Sequence, residues 1–198
     1  MVKSIIFDVG GVYLQGSFID FVNKSYRVLG IEDTFHADKE VVFDSDYNRG
    51  KITAEECFRE YFDVPISDEQ MERIVDLWTT TWKATDEMLD LVGRLKGNYK
   101  LAILSNSDLV NSRKYMERGW YSYFDVLVLS HEEGLLKPEQ RIYDITLERL
   151  GLSASECVFI DDQEDALVPA RKMGMKTILY KSTEQLEREL ADLGLKVN

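Results

Sequence analysis

The sequence predicts an α/β fold: a parallel sheet with helices on both faces and an all-helical insertion after the first strand. Three observations predict it. Short apolar, β-branched runs recur along the chain and, from about residue 97, alternate with helical patterns. The stretch from about 16 to 85 does not alternate and reads as helical throughout. Several of the strand-like runs end in polar residues, which a parallel sheet gathers along one edge, where open α/β folds bind ligands.

The first strand is read over residues 3–9. The run Ile5-Ile6-Phe7 delivers Asp8 to the carboxyl edge, ahead of Gly10 and Gly11. Such glycines let a ligand approach the backbone and offer unobstructed peptide N–H groups. A strand-end carboxylate beside them suits a nucleophile or a metal ligand. Taken alone, it suits a solubilising Asp before an ordinary turn equally well.

In the helical stretch, Thr53 with Glu56 and Ser67 with Gln70 have capping-box spacing. Its aromatics, among them Phe18, Phe35, Phe43, Trp78 and Trp82, read as a small helical core. An insertion near the ligand edge is also placed to act as a lid.

A helix over 86–96, with Met88, Leu91 and Leu95 on one face, stops at Gly97. The second strand, Lys100–Leu104, runs into Ser105-Asn106-Ser107-Asp108. That tetrapeptide reads either as an anion site at a helix N-terminus or as a plain N-cap by Ser107 or Asp108. The third strand, Val126–Leu129, leads to a loop ending Leu136-Lys137-Pro138. Proline suits a first helical turn, which places Lys137 at the loop–helix junction. The following helix, 139–150, carries Ile142, Ile145 and Leu150 and stops at Gly151, read as a left-handed terminus. The fourth strand, Val158–Ile160, ends in Asp161-Asp162, with Glu164 and Asp165 just behind. Adjacent carboxylates repel unless a cation or proton lies between them, although a lone pair more often caps a helix. Pro169 is expected near the first turn of the next helix, and Thr177–Leu179 is the fifth strand.

At 198 residues the chain is one large domain or a core with an inserted subdomain, and 44% apolar residues can fill a sizeable core. No apolar run is long enough to span a membrane. The net charge of −12, from 24 Lys+Arg against 36 Asp+Glu, disfavours nucleic acid and anionic membranes as partners. An anionic substrate therefore needs local positive charge from a metal or a placed lysine. Cys57 and Cys157 are read as buried, reduced thiols, and with no signal peptide ahead of the first strand the expected location is cytoplasmic. Tyr13, Tyr47, Arg49 and Lys51 are weighed as substrate contacts, with solvated surface preferred for each. His36 and His131 are given no role.

In a parallel sheet the strand ends bearing Asp8, Ser105, Lys137 and Asp161-Asp162 lie on one edge and converge. A carboxylate nucleophile, a hydroxyl donor, a lysine and acidic metal ligands together suit phosphoryl transfer. The all-oxygen ligand set favours Mg²⁺.

At this point the sequence resembles the haloacid dehalogenase superfamily of phosphohydrolases over essentially its whole length. FDVGGV, LSNS, GLLKPEQRIY and FIDDQEDALVPARKMG resemble its four motifs in order. RGKITAEECF resembles the cap of the branch that contains glucose-1-phosphate phosphatases and the N-terminal phosphatase domain of soluble epoxide hydrolase. The resemblance implies a three-layer, Rossmann-like core over 1–15 and 86–198 and a helical cap over 16–85. It implies that Asp8 forms an aspartyl-phosphate and that Lys137 holds Asp8 and the transferring group. Ser105, the backbone of Asn106 and Gly11 are expected to bind the phosphoryl oxygens. Asp8, the carbonyl of Gly10, Asp162 and Asp161 are expected to hold Mg²⁺. Gly10 stands where most of these phosphatases carry a second Asp as general acid and base. Ala166 stands where the branch often has Asn, and Asp165 is read as its substitute or as a helix cap.

The leading expectation is a Mg²⁺-dependent phosphatase of a small phosphomonoester such as a sugar phosphate, with substrate and oligomeric state not legible. A 2-haloacid dehalogenase also uses an Asp nucleophile and lacks the second Asp, but typically has no pair like Asp161-Asp162. A non-catalytic binding or regulatory protein on the same fold is the third reading.

Overall fold

The computed structural model describes residues 1–31 and 46–197. Phe35, His36 and Phe43 lie outside the described residues.

Strand β1 (Ser4–Phe7) is short and buried at every position, with three apolar residues after Ser4. A two-residue strand β2 (Leu14–Gln15) follows, then helices α1 (Phe18–Leu29), α2 (Ala54–Phe62) and α3 (Asp68–Thr81). Strand β3 (Lys83–Ala84) pairs antiparallel with β2, so this excursion leaves and returns through one small ribbon. Both expected capping boxes are present. Thr53 and Ser67 each accept from the backbone N–H three residues on, and Glu56 and Gln70 bond back to the cap residue.

The remaining chain alternates: α4 (Asp86–Lys96), β4 (Lys100–Ser105), α5 (Leu109–Glu117), β5 (Val126–Leu129), α6 (Ser130–Glu133), α7 (Gln140–Leu150), β6 (Cys157–Asp161), α8 (Glu164–Met173), β7 (Lys176–Leu179) and α9 (Thr183–Asp192). The five long strands form one sheet in the order β5-β4-β1-β6-β7, with every pairing parallel.

Strand alternation sorts side chains between two cores. Ile5, Phe7, Leu101, Ile103, Val158 and Ile160 pack on one face with residues of α4 and α9. Ile6, Ala102, Leu104, Val128 and Phe159 pack on the other with residues of α7 and α8. The expected three-layer α/β architecture is thus formed. A third apolar cluster, built from α1 to α3, holds Phe21, Phe58, Phe62, Ile74 and Trp78. Among the described residues, no helix is long and apolar enough to cross a membrane.

Two helix expectations are corrected. Pro138 precedes α7 instead of opening it. It lies in a turn closed by Glu139 N–H to Leu136 C=O at 2.8 Å, with a cis Lys137–Pro138 peptide. Pro169 lies well inside α8, not near its start. The bond that proline forgoes belongs to the carbonyl of Asp165. Asp165 is exposed, so water can satisfy that carbonyl.

Candidate active site

Register places the site. Phe7 pairs with Ile160 on one side and Ile103 on the other, so Asp8, one residue on, lies level with Asp161 and with Leu104. The N–H of Asp8 continues the ladder to Ile160 C=O at 2.9 Å. Asp8 therefore leaves the central strand at the carboxyl edge, only 6% exposed.

The turn after α6 sends Lys137 to the same place. Its Nζ donates to Asp8 Oδ1 at 2.7 Å and to Asp161 Oδ2 at 2.6 Å, in a fully buried arrangement. Asn106 fixes that turn from the neighbouring strand end. Lys137 N–H donates to Asn106 Oδ1 at 2.8 Å, and Asn106 Nδ2 donates to Lys137 C=O at 3.1 Å. Ser105 is buried, with its hydroxyl 3.4 Å from its neighbour's carbonyl.

Asp161 also accepts from Gln163 N–H at 2.8 Å, while Asp162 is exposed. Asp8, Asp161 and Asp162 each place a carboxylate oxygen within 4.8 Å of the others. Three carboxylates against one lysine leave excess negative charge when all are ionised, and the donors are all oxygen. That set fits a hard divalent cation. Asp165 is not part of it.

Gly11 has φ +82, and a Cβ there would come within 2.3 Å of Asp162 Oδ2. The left-handed φ favours glycine there, and a Cβ would push the Asp162 carboxylate aside. The Gly11 N–H donates to Leu14 C=O at 2.9 Å. A Cβ on Gly10 would meet only the Trp82 ring, at 3.8 Å. Gly16 lets that ring pass, since a Cβ there would come within 2.6 Å of it.

Burial is the main influence on Asp8 and raises its carboxyl. Lys137 opposes this and Asp161 reinforces it, so the group is pushed up to about 6. Burial disfavours the Lys137 ammonium, but the two carboxylates overcome it and raise this lysine above its ordinary value. Asp162, although exposed, is raised by partial desolvation and by Asp161. Burial pushes the Cys57 and Cys157 thiols up, to about 12 and about 11, which keeps both protonated.

The helical segment is tied to this edge. Asp108 is buried and caps α5 by accepting from Asn111 N–H at 2.9 Å. The same carboxylate accepts from Tyr47 Oη at 2.9 Å and Trp78 Nε1 at 3.1 Å. Ser130 Oγ donates to Asn48 C=O at 2.6 Å, and Arg49 pairs with Glu139 at 2.7 Å. Between segment and sheet edge lies a cavity of about 150 Å³, lined by Gly10, Ser105, Asn106, Phe18, Trp78 and Trp82.

The surface expectation fails for two tyrosines. Tyr13 is fully buried and donates to Trp120 C=O, and Tyr47 is 3% exposed on Asp108. Arg49 is half-buried in its ion pair, whereas Lys51 pairs with Asp46 at the surface. His131, given no role from sequence, places Nδ1 3.3 Å from Ser107 Oγ. Sequence reasoning left the link from Asp108 to Tyr47 and Trp78 unseen, because nothing local pairs residues so far apart in the chain. Its one signal is the acid in Ser-Asn-Ser-Asp.

Comparisons with known proteins agree with the α/β fold. D-ribitol-5-phosphate phosphatase of Bacteroides thetaiotaomicron is 25% identical over 96% of this chain and 97% of its own length. Bifunctional epoxide hydrolase 2 of Mus musculus is 40% identical over 44% of this chain, a match that spans 16% of that larger protein. A haloacid dehalogenase family enzyme of Bacteroides thetaiotaomicron, solved as a magnesium complex, superposes with a TM-score of 0.77 at 25% identity, covering 91% of this chain and 93% of that one. The family model of haloacid dehalogenase-like hydrolases matches residues 2–174. With its parallel sheet and an acidic strand-edge site, the chain belongs to the haloacid dehalogenase-like hydrolases.

Proposed function

We propose that the protein is a Mg²⁺-dependent phosphatase of a small phosphomonoester, with Asp8 as nucleophile. One observation carries this reading: Lys137 bridges Asp8 and Asp161 beside Asp162, at the end of the central strand. A hydrolase named for a small sugar-alcohol phosphate, similar along its whole length, supports the substrate class. Asp8, Asp161, Asp162 and the Gly10 carbonyl would hold the cation, and a magnesium complex of a similar enzyme supports its identity. When bound, such an ion supplies charge neutralisation for the phosphoryl oxygens.

Lys137 holds Asp8 Oδ1, which leaves Oδ2 for in-line attack on phosphorus. The Oδ2–P bond forms as the ester P–O bond breaks. Lys137 remains charged and offsets the negative charge on the transferring group. Ser105 Oγ and the Asn106 backbone bind its oxygens. Gly10 offers no proton, so the leaving oxygen takes one from water. A second water then cleaves the aspartyl-phosphate and restores Asp8. Residues 16–85 serve as the cap over a core of 1–15 and 86–198, and the cleft beneath them selects the leaving group. Two buried thiols and an acidic surface support a cytoplasmic enzyme with no nucleic-acid or membrane partner.

The test is a panel of phosphomonoesters assayed with Mg²⁺ and with excess chelator. Turnover that requires Mg²⁺ and vanishes in folded Asp8→Asn is expected. Turnover undiminished by chelator, or retained in pure Asp8→Asn, contradicts the proposal.

A further inference from the structure

We infer that Asp108 selects substrates by charge: its buried carboxylate lets the site take phosphomonoesters whose small leaving group is neutral and turns away those that carry a second anionic group. This rests on the phosphatase reading above and adds which substrates that site refuses.

A second anion in a binding cleft calls for a basic side chain to answer it. The cavity of about 150 Å³ beside Gly10, Ser105 and Asn106 has no Lys, Arg or His among its described lining residues. Its charged lining residue is Asp108, which is 3% exposed. The two oxygens of Asp108 accept from Tyr47 Oη, Trp78 Nε1 and the backbone and side-chain amides of Asn111, all uncharged donors. Lys137 is engaged elsewhere, its Nζ holding Asp8 and Asp161 at 2.7 and 2.6 Å. Arg49 is engaged by Glu139 and the Gly134 carbonyl. The N-terminus of α5 is a positive pole, but Asp108 itself caps it and offsets that field. Residues 32–45, outside the described ones, hold five acids and one lysine, so their sequence is net acidic as well.

A charge acts through space, so Asp108 needs no contact with the ligand. Its burial strengthens the field, since little water or salt screens it. A group inside so small a cavity lies within about 10 Å of the wall. At that distance, with an effective dielectric constant of about 20, repulsion between two like unit charges is a roughly tenfold effect. A neutral leaving group escapes it, and Phe18, Trp78, Trp82 and Tyr115 supply apolar walls for its carbon chain.

The experiment compares kcat/KM for glycerol 3-phosphate and 3-phosphoglycerate, which share a carbon chain and differ in a hydroxymethyl group against a carboxylate. The unaltered protein is expected to prefer the neutral ester by roughly tenfold or more. In Asp108→Asn, which removes the charge and keeps the size, that preference is expected to fall to about threefold or less. Loss of a merely structural tie would lower both values together and leave their ratio unchanged. A preference under about threefold in the unaltered protein overturns the inference, with no variant needed. So does a ratio unchanged in folded Asp108→Asn. Hydrolysis of p-nitrophenyl phosphate with neither carbon-chain ester hydrolysed overturns the inference alone. Hydrolysis of none of the three overturns the phosphatase reading as well.

Discussion

Burial disfavours a charge on Asp8, the Lys137 ammonium favours it, and Asp161 disfavours it again. The folded-state value of about 6 lies above the ordinary 3.8, so the metal-free native state holds this proton more tightly than the unfolded chain does. Ionised Asp8 therefore costs stability. The cost is fully present above about pH 6 and shrinks as pH falls towards 3.8. That separation corresponds to roughly 3 kcal/mol. Metal-free Asp8→Asn should thus melt several degrees higher than the unaltered protein at pH 7.5, and the gain should fade by pH 4. A gain that grows on acidification would contradict this. Gly10→Asp tests the neighbouring position. Its Cβ makes only ordinary contact with Trp82, so the variant should fold. A restored acid is worth about 10²–10⁴-fold where proton donation limits the rate. Turnover of alkyl phosphates should therefore rise more than that of p-nitrophenyl phosphate, and equal changes would show that the missing carboxylate is not limiting. Asp8 was legible in sequence because it follows an apolar, β-branched run, and Lys137 because it stands in a loop motif that matches in order with the other three. The role of Gly11 was not, because the approach of Asp162 and the Leu14 carbonyl bond appear only once the loop has folded back.

The elements were legible to the extent that their periodicity was long. Five strands and the helices over 86–96 and 139–150 declare themselves through apolar spacing and terminal glycines. Strands β2 and β3 do not, since two residues carry no alternation, yet they join the two ends of the helical excursion. Pro138 and Pro169 misled for opposite reasons. One stands in a turn that tertiary contacts hold, and the other is tolerated mid-helix because the carbonyl it leaves unpaired belongs to an exposed residue. One tie between the helical segment and the sheet edge is Asp108, buried without a cationic partner in its hydrogen bonds to Tyr47, Trp78 and Asn111. Asp108→Ala strands those donors in a dry interface. It should lower unfolding free energy by about 3 kcal/mol or more, measured by urea denaturation. A loss under about 1 kcal/mol would mean water replaces the carboxylate and the tie is weak.

For the whole molecule, the design is a sheet edge and a helical segment enclosing one small cleft. An acidic chain of net charge −12 repels anions at long range. A phosphate ester must then be held by local groups, which here are Lys137 and a cation on the three carboxylates. Fold class and family were readable because four motifs fall in order at or beyond strand ends. The shape of the cleft was not, because Trp78 enters it from α3 and Trp82 from just beyond that helix, whose place over the edge no local pattern encodes. The central claim is that Asp8 becomes phosphorylated. Its most direct test is acid quench of the protein during turnover of a radiolabelled phosphomonoester, followed by peptide mapping. The account predicts a hydroxylamine-labile label on the peptide that contains Asp8, absent from Asp8→Asn. Steady turnover with no labelled protein, or a label that persists in Asp8→Asn, would contradict it.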